Sequence, residues 1–145
     1  MPTPTTPRPS DVATLDAILN ALYETVSGPI GQPRDWDRFR SLILPGGRLM
    51  PVISLPGEKA SVRFLSTEDF IQRVEPIFAV EVFWERETSR QTETLGHFAH
   101  VLSFYESLRS PDGPPFERSV NSIQLLNDGT RWWIVNVMWN TSRAE

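Results

Sequence analysis

Cysteine is absent from the 145 residues of this chain. Its absence excludes disulfide bonds, thiolate metal ligands and a cysteine nucleophile, and it suits a reducing compartment, so we expect a cytoplasmic protein. Histidine is nearly absent, since only His97 and His100 occur. In a strand, a spacing of three residues places these two side chains on opposite faces, where they do not share a metal ion. We therefore expect neither a metal nor a cofactor.

Basic stretches and long apolar runs are also missing. The chain carries 14 Lys and Arg against 18 Asp and Glu, and no basic cluster indicates nucleic-acid binding. No apolar run reaches the length that spans a membrane. The first ten residues, MPTPTTPRPS, are rich in proline and lack the apolar core of a secretory signal. We predict a disordered arm over 1–10, a single domain over 11–141 and a tail over 142–145.

Three helices are predicted in the first half of the domain. Ser10 and Asp11 form a helix start, and Gly28-Pro29 ends that helix. Asp35 is placed to cap a second, short helix that stops before 45–47, and the segment 66–69 caps a third helix over 67–79. The inward residues at helical spacing are Leu15, Ile18, Leu19, Leu22 and Val26 in the first helix, and Trp36, Phe39 and Ile43 in the second.

The second half of the domain has the pattern of strands. Two short strands are predicted near 48–54 and 60–65, and four longer strands follow residue 80, in VEVFWERET, LGHFAHVLSFYESLR, FERSVNSIQLL and RWWIVNVMWN. SPDGPP and NDGT supply turns between the last three. Helices followed by a meander of antiparallel strands predict an α+β domain, in which helices cover one face of a curved sheet.

This pattern resembles the nuclear-transport-factor-2-like superfamily, and within it the polyketide-cyclase (SnoaL)-like proteins. The resemblance spans about 11–141 and rests mainly on GHFAHVLSFYES and NSIQLLNDGTRWWIVNVMW, with DWDRFRSLILPGGRL similar to the second helix and first strand. It implies a cone-shaped fold, with three N-terminal helices on a strongly curved, mainly antiparallel sheet around an apolar pocket. Superfamily members include isomerases, dehydratases, cyclases and plain binding domains, so the resemblance is weaker for function than for fold.

The resemblance also implies which face of each late strand points into the cone. It places Trp132 on the pocket face, and alternation along the strands then supplies the other members. A slip of one residue in register would exchange the two faces. The implied pocket residues are Trp132, Ile134, Asn136, Met138, Asn121, Ile123, Leu125, His97, Ala99, Val101, Ser103 and Tyr105.

The opposite face of the same strands is apolar as well. A surface of this kind is too large to leave in water, so we expect a homodimer that covers it. The implied interface residues are His100, Leu102, Phe104, Glu106, Trp133, Val135, Val137 and Trp139.

Polar side chains on the pocket face are the candidate ligand contacts. Asn121 and Asn136 on neighbouring strands either bind a ligand hydroxyl or carbonyl, or pair with each other as buried amides usually do. Ser103 and Tyr105 share this face, and the Tyr105 hydroxyl is either a donor to a ligand carbonyl or bonded to the backbone. Trp132, Met138 and Trp36 are expected to supply apolar contacts.

Acid–base groups are harder to assign from the sequence. His97 is a candidate general base and Tyr105 its partner. Glu81, Glu85 and Glu87 alternate along one strand, a pattern typical of a solvent-facing row, and Arg86 on the other face is expected to pair with a glutamate of a neighbouring strand. Of Asp35 and Asp37, one is expected to be a helix cap. No carboxylate is expected to point into the cone from the last three strands.

Three functions remain open at this point. The first is a binding protein that holds an apolar or aromatic small molecule without catalysis, which a buried carboxylate of raised pKa in the pocket would count against. The second is an isomerase, cyclase or hydro-lyase that acts on a polycyclic or aromatic metabolite through Tyr105 and His97; it fails if His97 lies outside the cavity and no other base is present. The third is a protein-interaction module that uses the outer sheet face.

Overall fold

The structure of the protein is a computed structural model that describes residues 6–141. Residues 1–5 of the arm predicted over 1–10 and the predicted tail over 142–145 lie outside the described residues, whereas Pro9 and Ser10 are helical. Within residues 6–141, four helices and one six-stranded mixed sheet form an α+β fold. The elements are α1 Pro9–Val12, α2 Leu15–Val26, α3 Trp36–Leu42, β1 Ile43–Ile53, β2 Ser61–Val62, α4 Thr67–Val80, β3 Trp84–Leu95, β4 Phe98–Leu108, β5 Pro115–Asn127 and β6 Trp132–Thr141.

Each of the three longer helices begins at a side-chain cap. Thr14 accepts a hydrogen bond from the Ala17 amide at 3.0 Å, and Asp35 accepts one from the Arg38 amide at 3.0 Å. Ser66 and Asp69 exchange side-chain and backbone hydrogen bonds in a capping box. These contacts satisfy amides that a helix start leaves without partners, which explains why the short polar residues set the boundaries.

The first predicted helix is divided in the structure. Pro9 and Ser10 belong to the one-turn helix α1, so the helical chain starts earlier than predicted, and α2 begins after a break at Thr14. The extra turn is held by an ion pair between Asp11 and Arg38 at 2.9 Å. The Arg38 hydrogen bonds lower the pKa of the Asp11 carboxyl although it is buried.

The sheet has the strand order β2-β1-β6-β5-β4-β3. β1 runs parallel to β6, and the other neighbouring strands pair antiparallel. β3 and β4 form a long hairpin that turns at Gly96, whose φ of 63° suits glycine, so the strand predicted from residue 95 begins at Phe98. The short strand predicted over 60–65 is reduced to Ser61–Val62.

The inner face of the sheet packs against α2, α3 and α4. Alternation along β4 and β5 turns Val101, Ile123 and Leu125 inward, and all three are fully buried. They meet Ile18 and Leu19 of α2, which are also fully buried. The helices therefore cover one end of the sheet's inner face and leave a cavity toward the other end.

A β-bulge at Val135 changes the faces of β6. Ile134 pairs with Leu125 and Asn136 pairs with Gln124, so Val135 is an extra residue without a partner on β5. Ile134 is inward and fully buried, as predicted, but beyond the bulge Val137 is the buried residue. Strict alternation over 132–139, which the sequence pattern assumes, is therefore wrong after Ile134.

Within the described part of the chain, no helix is long and apolar enough to cross a membrane.

Candidate active site

An apolar cavity of about 210 Å³ opens between the inner face of the sheet and helices α2, α3 and α4. Aromatic side chains from the helices and the strands form much of its wall, which gives it the character of a small-molecule site. Glu81, Phe116, Glu117 and Asn140 are exposed and mark its mouth. The aromatic lining residues are Phe39, Phe70, Phe78, Phe83, Tyr105, Phe116 and Trp139.

Two carboxylates and a serine form a row across three strands at this mouth. Glu85 of β3 pairs with Ser107 of β4, and Ser107 pairs with Glu117 of β5. Directly paired residues of neighbouring strands point to the same face, so all three side chains face inward, and all three line the cavity. The expectation that no carboxylate points into the cone from the last three strands is wrong at Glu117, and the expected solvent-facing row of glutamates is wrong at Glu85.

Glu85 has the most strongly perturbed carboxyl in the cavity. Burial raises its pKa from an ordinary value of 4.5 to about 8, and the negative charge of Glu117 adds to the rise. Within residues 6–141 no hydrogen bond to this carboxyl offsets the burial, whereas its backbone amide donates to Ser27 Oγ at 2.9 Å. The backbone of Glu85 is thus tied to the end of α2 while its carboxyl faces the cavity.

Tyr105 contributes a phenol to the same cavity. Its side chain is buried, and desolvation together with the nearby Glu85 raises its pKa, so the hydroxyl keeps its proton at neutral pH. Its ring lies 6.0 Å from the ring of Tyr23. A neutral phenol beside a carboxyl that titrates near pH 8 is a pair of groups that can exchange and donate protons at physiological pH.

A series of hydrogen bonds runs from Asn121 in the cavity wall to the ion pair of Glu87 and Arg90 on β3. Asn121 donates to the Tyr23 hydroxyl at 3.0 Å, and the Tyr23 hydroxyl lies 2.7 Å from Ser103 Oγ. Ser103 in turn donates to the carboxylate of Glu87, which is ion-paired with Arg90. Asn121 lines the cavity, whereas Ser103 is buried behind Tyr23.

The structure therefore brings together only part of the predicted pocket. Tyr105 and Asn121 line the cavity as predicted, and Ser103 faces inward but contacts Tyr23 and Glu87. Trp36 is buried against Phe39 and Phe78, which line the cavity in its place. Trp132 is half-buried against the core.

Asn136 and Met138 do not face the cavity. Because Val135 is an extra residue, the side chains after it are inverted, and Asn136 donates to Gln124 Oε1 at 2.8 Å on the outer side. Met138 is exposed, and the predicted pairing of Asn136 with Asn121 is wrong. Trp139, predicted on the outer face, instead lines the cavity and packs edge-on against Phe70.

His97 also lies outside the cavity. It occupies the β3–β4 turn, is exposed, and places Nδ1 3.1 Å from the Asn127 carbonyl oxygen. His100 is half-buried on the outer face, with Nε2 3.0 Å from Ser122 Oγ. Arg86 pairs with Glu106 of β4 at 3.3 Å, which confirms the predicted cross-strand ion pair.

The charge of the lining limits what the cavity accepts. Among residues 6–141, its lining includes three glutamates and no lysine, arginine or histidine. The same residues contain no group of three His, Cys, Asp or Glu side chains placed to hold a metal ion. A neutral ligand matches this lining better than an anionic one, because an anion would meet carboxylates without a compensating cation.

Comparison of the whole fold with solved structures shows where the architecture recurs. No known family model matches the sequence, and no curated protein matches it. A proposed dehydratase of the NTF2-like family from Streptomyces avermitilis superposes with a TM-score of 0.61 over 87% of this chain and 92% of that chain, at 17% identity. The protein has the NTF2-like fold. The resemblance to the nuclear-transport-factor-2-like proteins is thereby confirmed at the level of fold.

Two further structures widen the range of proteins that share the NTF2-like fold. An NTF2-like protein with a cystatin-like fold from Novosphingobium aromaticivorans matches with a TM-score of 0.55 over 88% of this chain and 79% of that chain, at 11% identity. A proposed ketosteroid isomerase from Shewanella frigidimarina matches with a TM-score of 0.51 over 72% of this chain and 80% of that chain, at 16% identity. Identities this low establish the shared fold alone.

Proposed function

We propose that the protein is an isomerase or hydro-lyase that acts on a neutral, largely apolar small molecule and uses Glu85 to transfer the proton. The observation that carries this proposal is the Glu85 carboxyl, whose pKa of about 8 lies close to physiological pH within an apolar cavity. General acid–base catalysis is most effective when the pKa of the catalytic group lies near the working pH. His97 plays no part, since it lies outside the cavity.

Glu85, Tyr105 and the aromatic walls have separate roles in this chemistry. The ionised form of Glu85 removes a proton from carbon, and its protonated form returns one to a neighbouring atom or to a departing hydroxyl. Tyr105, kept neutral by burial, donates a hydrogen bond to the oxygen on which negative charge develops. The aromatic walls orient the ligand and keep bulk water away from the reacting atoms.

Two proteins that share the fold have proposed activities that support this class of reaction. The Shewanella protein is a proposed ketosteroid isomerase and the Streptomyces protein a proposed dehydratase. Both names describe proton transfer at carbon of a small molecule, which agrees with the groups present in this cavity.

A probe reaction tests the role of Glu85 without knowledge of the natural substrate. We expect the protein to accelerate ring opening of 5-nitrobenzisoxazole, in which a base removes the proton on carbon as the nitrogen–oxygen bond breaks. The rate should rise with pH to a plateau above about 8, since only ionised Glu85 is a base. Glu85→Gln should lower kcat/KM by about a hundredfold or more.

The matched control for this experiment is Glu93→Gln. Glu93 lies on the same strand, is exposed, and pairs with His100 on the outer face. It should retain the wild-type rate and pH profile. Equal rates for Glu85→Gln and Glu93→Gln would contradict the proposal.

A second candidate is a binding protein without catalysis, favoured by the many aromatic side chains in the wall. It predicts that Glu85→Gln leaves ligand affinity unchanged and that the wild type does not accelerate the probe reaction. The ionisable carboxyl inside the cavity counts against it, because carboxyls with a strongly perturbed pKa in a cleft occur mainly at functional sites.

The proposal includes a homodimer in the cytoplasm. Half-buried apolar side chains on the outer sheet face support the dimer, whose proposed interface is His100, Leu102, Phe104, Trp133 and Val135. Trp139 is no longer part of it, because it lies inside. The cytoplasmic location rests on the suitability of a cysteine-free chain for a reducing compartment.

A further inference from the structure

The direction of each hydrogen bond behind the cavity wall follows from the ion pair at its far end. Glu87 is held by Arg90, and its second carboxylate oxygen has no proton to give, so Ser103 must be the donor between them. The Ser103 hydroxyl has one proton, and it is therefore an acceptor toward Tyr23. The Tyr23 hydroxyl, having donated to Ser103, accepts from the Asn121 amide.

Because each of these hydrogen bonds has a fixed donor and acceptor, the orientation of the Asn121 amide is fixed as well. Asn121 is only 7% exposed, and its Nδ2 points to Tyr23 at 3.0 Å. Of the described residues none donates a hydrogen bond to its Oδ1, and the side chain lines the cavity. No buried side-chain nitrogen or oxygen of the described residues lacks a partner, so an Oδ1 without a protein donor is reachable from the cavity. A ligand hydroxyl or N–H can donate to it there, whereas a ligand carbonyl that displaces water from the cavity would leave it without a donor.

We propose that Asn121 Oδ1 selects ligands carrying a hydroxyl or N–H group over matched ligands carrying a carbonyl, and that Glu87 is the positioning residue that sets this preference. This inference rests on the proposed function in one respect, the use of the same cavity as the ligand site. It requires no catalysis. The ligand is then a neutral, largely apolar molecule that carries a hydroxyl or an uncharged N–H group.

Glu87 acts on the ligand only through the hydrogen bonds that link it to Asn121 by way of Ser103 and Tyr23. In Glu87→Gln, the new amide donates to Ser103, which then donates to Tyr23, and Tyr23 donates to Asn121. The Asn121 amide turns over to accept that bond, and Nδ2 replaces Oδ1 at the cavity. The preference should then move from alcohol toward ketone, an effect that simple loss of an ion pair would not produce.

Equilibrium binding of 2-indanol and 2-indanone provides the test, since the two probes share one skeleton and differ at a single oxygen. We expect the wild type to bind the alcohol about fivefold more tightly, the value of one net hydrogen bond. Glu87→Gln should lower or reverse this ratio, whereas Glu93→Gln on the outer side of the same strand should keep it. Isothermal titration at pH 7 measures each dissociation constant.

Asn121→Leu removes the proposed ligand contact and leaves Tyr23, Ser103 and Glu87 in place. It should weaken 2-indanol to the level of 2-indanone and leave the ketone affinity near that of the wild type. Should it fail to fold, the ratio in Glu87→Gln still decides, because that variant keeps every side chain of the cavity wall. Equal affinities for the two probes in the wild type, or an unchanged ratio in Glu87→Gln, would overturn the inference.

The outcome is distinguishable from a failure of the proposed function. Loss of the probe reaction with an intact alcohol preference would contradict proton transfer by Glu85 and leave the Asn121 contact standing. A normal reaction with no preference between the probes would contradict the Asn121 contact and leave proton transfer by Glu85 standing. No binding of either probe, together with no reaction, would contradict both.

Discussion

Glu85 is the residue whose environment most affects the chemistry of the cavity. Its sequence context, with Glu81, Glu85 and Glu87 on one face of a predicted strand, is typical of a solvated row, and nothing in it indicates that the Glu85 carboxyl enters a cavity. The pKa of Glu85 is raised by burial in the cavity, where its pairing with Ser107 places it, and to a smaller extent by the negative charge of Glu117 two strands away. By contrast, Tyr105 and Asn121 could be placed in the pocket by alternation once the family resemblance had indicated the inward face, because β4 and β5 are regular at those positions.

The raised pKa makes stability depend on pH. An unfolded glutamate ionises near 4.5, whereas Glu85 in the fold ionises near 8. Between these values the unfolded chain loses its proton and the folded chain keeps it, so the free energy of unfolding falls as pH rises, and the loss is complete above about 8. Glu85→Gln should remove a slope of up to about 1.4 kcal/mol per pH unit in this window.

Urea unfolding of the wild type and Glu85→Gln from pH 4 to 9 measures this difference. Glu93→Gln should follow the wild type throughout the series, since Glu93 is exposed on the outer side. Parallel curves for the wild type and Glu85→Gln would show that Glu85 has an ordinary pKa.

Glu117 makes the smaller contribution to the Glu85 pKa. Glu117→Gln removes a negative charge at the mouth, so the Glu85 pKa should fall, but by less than its whole elevation because burial is the larger cause. An NMR titration of carboxyl-labelled glutamate should show this, and the rate profile of the 5-nitrobenzisoxazole reaction should move to lower pH. A profile that stays in place would mean that the two carboxylates do not interact.

At the scale of the elements, local signals placed the starts of α3 and α4, but not the break between α1 and α2 or the early start of β1 at Ile43. Thr14, Asp35 and Ser66 each accept a hydrogen bond from an amide three residues on, a pattern that depends only on neighbouring residues. The Val135 bulge is different, because the extra residue exists only relative to β5 and β1. Because of this bulge, Asn136 and Met138 face outward and Trp139 faces inward, the reverse of what alternation along RWWIVNVMWN predicts.

Gly47 permits the close approach of β1 to this bulge. A Cβ on Gly47 would lie 2.8 Å from the Val135 carbonyl oxygen and 2.9 Å from the Leu44 carbonyl oxygen, both backbone atoms. Gly47→Ala should therefore lower the free energy of unfolding by about 1–3 kcal/mol, the usual cost of overpacking. Urea denaturation measures the change.

Gly113→Ala is the matched control for Gly47→Ala. Its Cβ would also meet a close atom, Ser110 Oγ at 2.6 Å, but that atom ends a short side chain that can rotate away. It should cost much less. Equal destabilisation by the two substitutions would show that Gly47 is not a point of close backbone approach.

At the scale of the whole molecule, the sheet separates a closed inner side from an apolar outer side. Leu102, Phe104 and Trp133 remain half-buried in the single chain, and the proposed dimer would cover them. Leu102→Asp should convert a dimer to a monomer, because a charge at the centre of such an interface is costly to bury. Sedimentation velocity at micromolar concentration measures the mass.

The control is Gln72→Asp, a similar charge change at an exposed position of α4. It should leave the dimer intact, and Leu102→Asp should keep the probe reaction, since Leu102 faces away from the cavity. A wild-type monomer at tens of micromolar would contradict the dimer.

The sequence by itself determined the starts of α3 and α4, the Asp-Gly turn before β6 and the alternation of faces along β4 and β5, because each depends on residues close together in the chain. Only the tertiary structure decided which carboxylates enter the cavity and which late side chains of β6 face outward. The Glu85–Ser107–Glu117 row and the Val135 bulge are properties of strand pairing, which joins residues distant in sequence. Burial, and with it the pKa of Glu85, follows from that pairing.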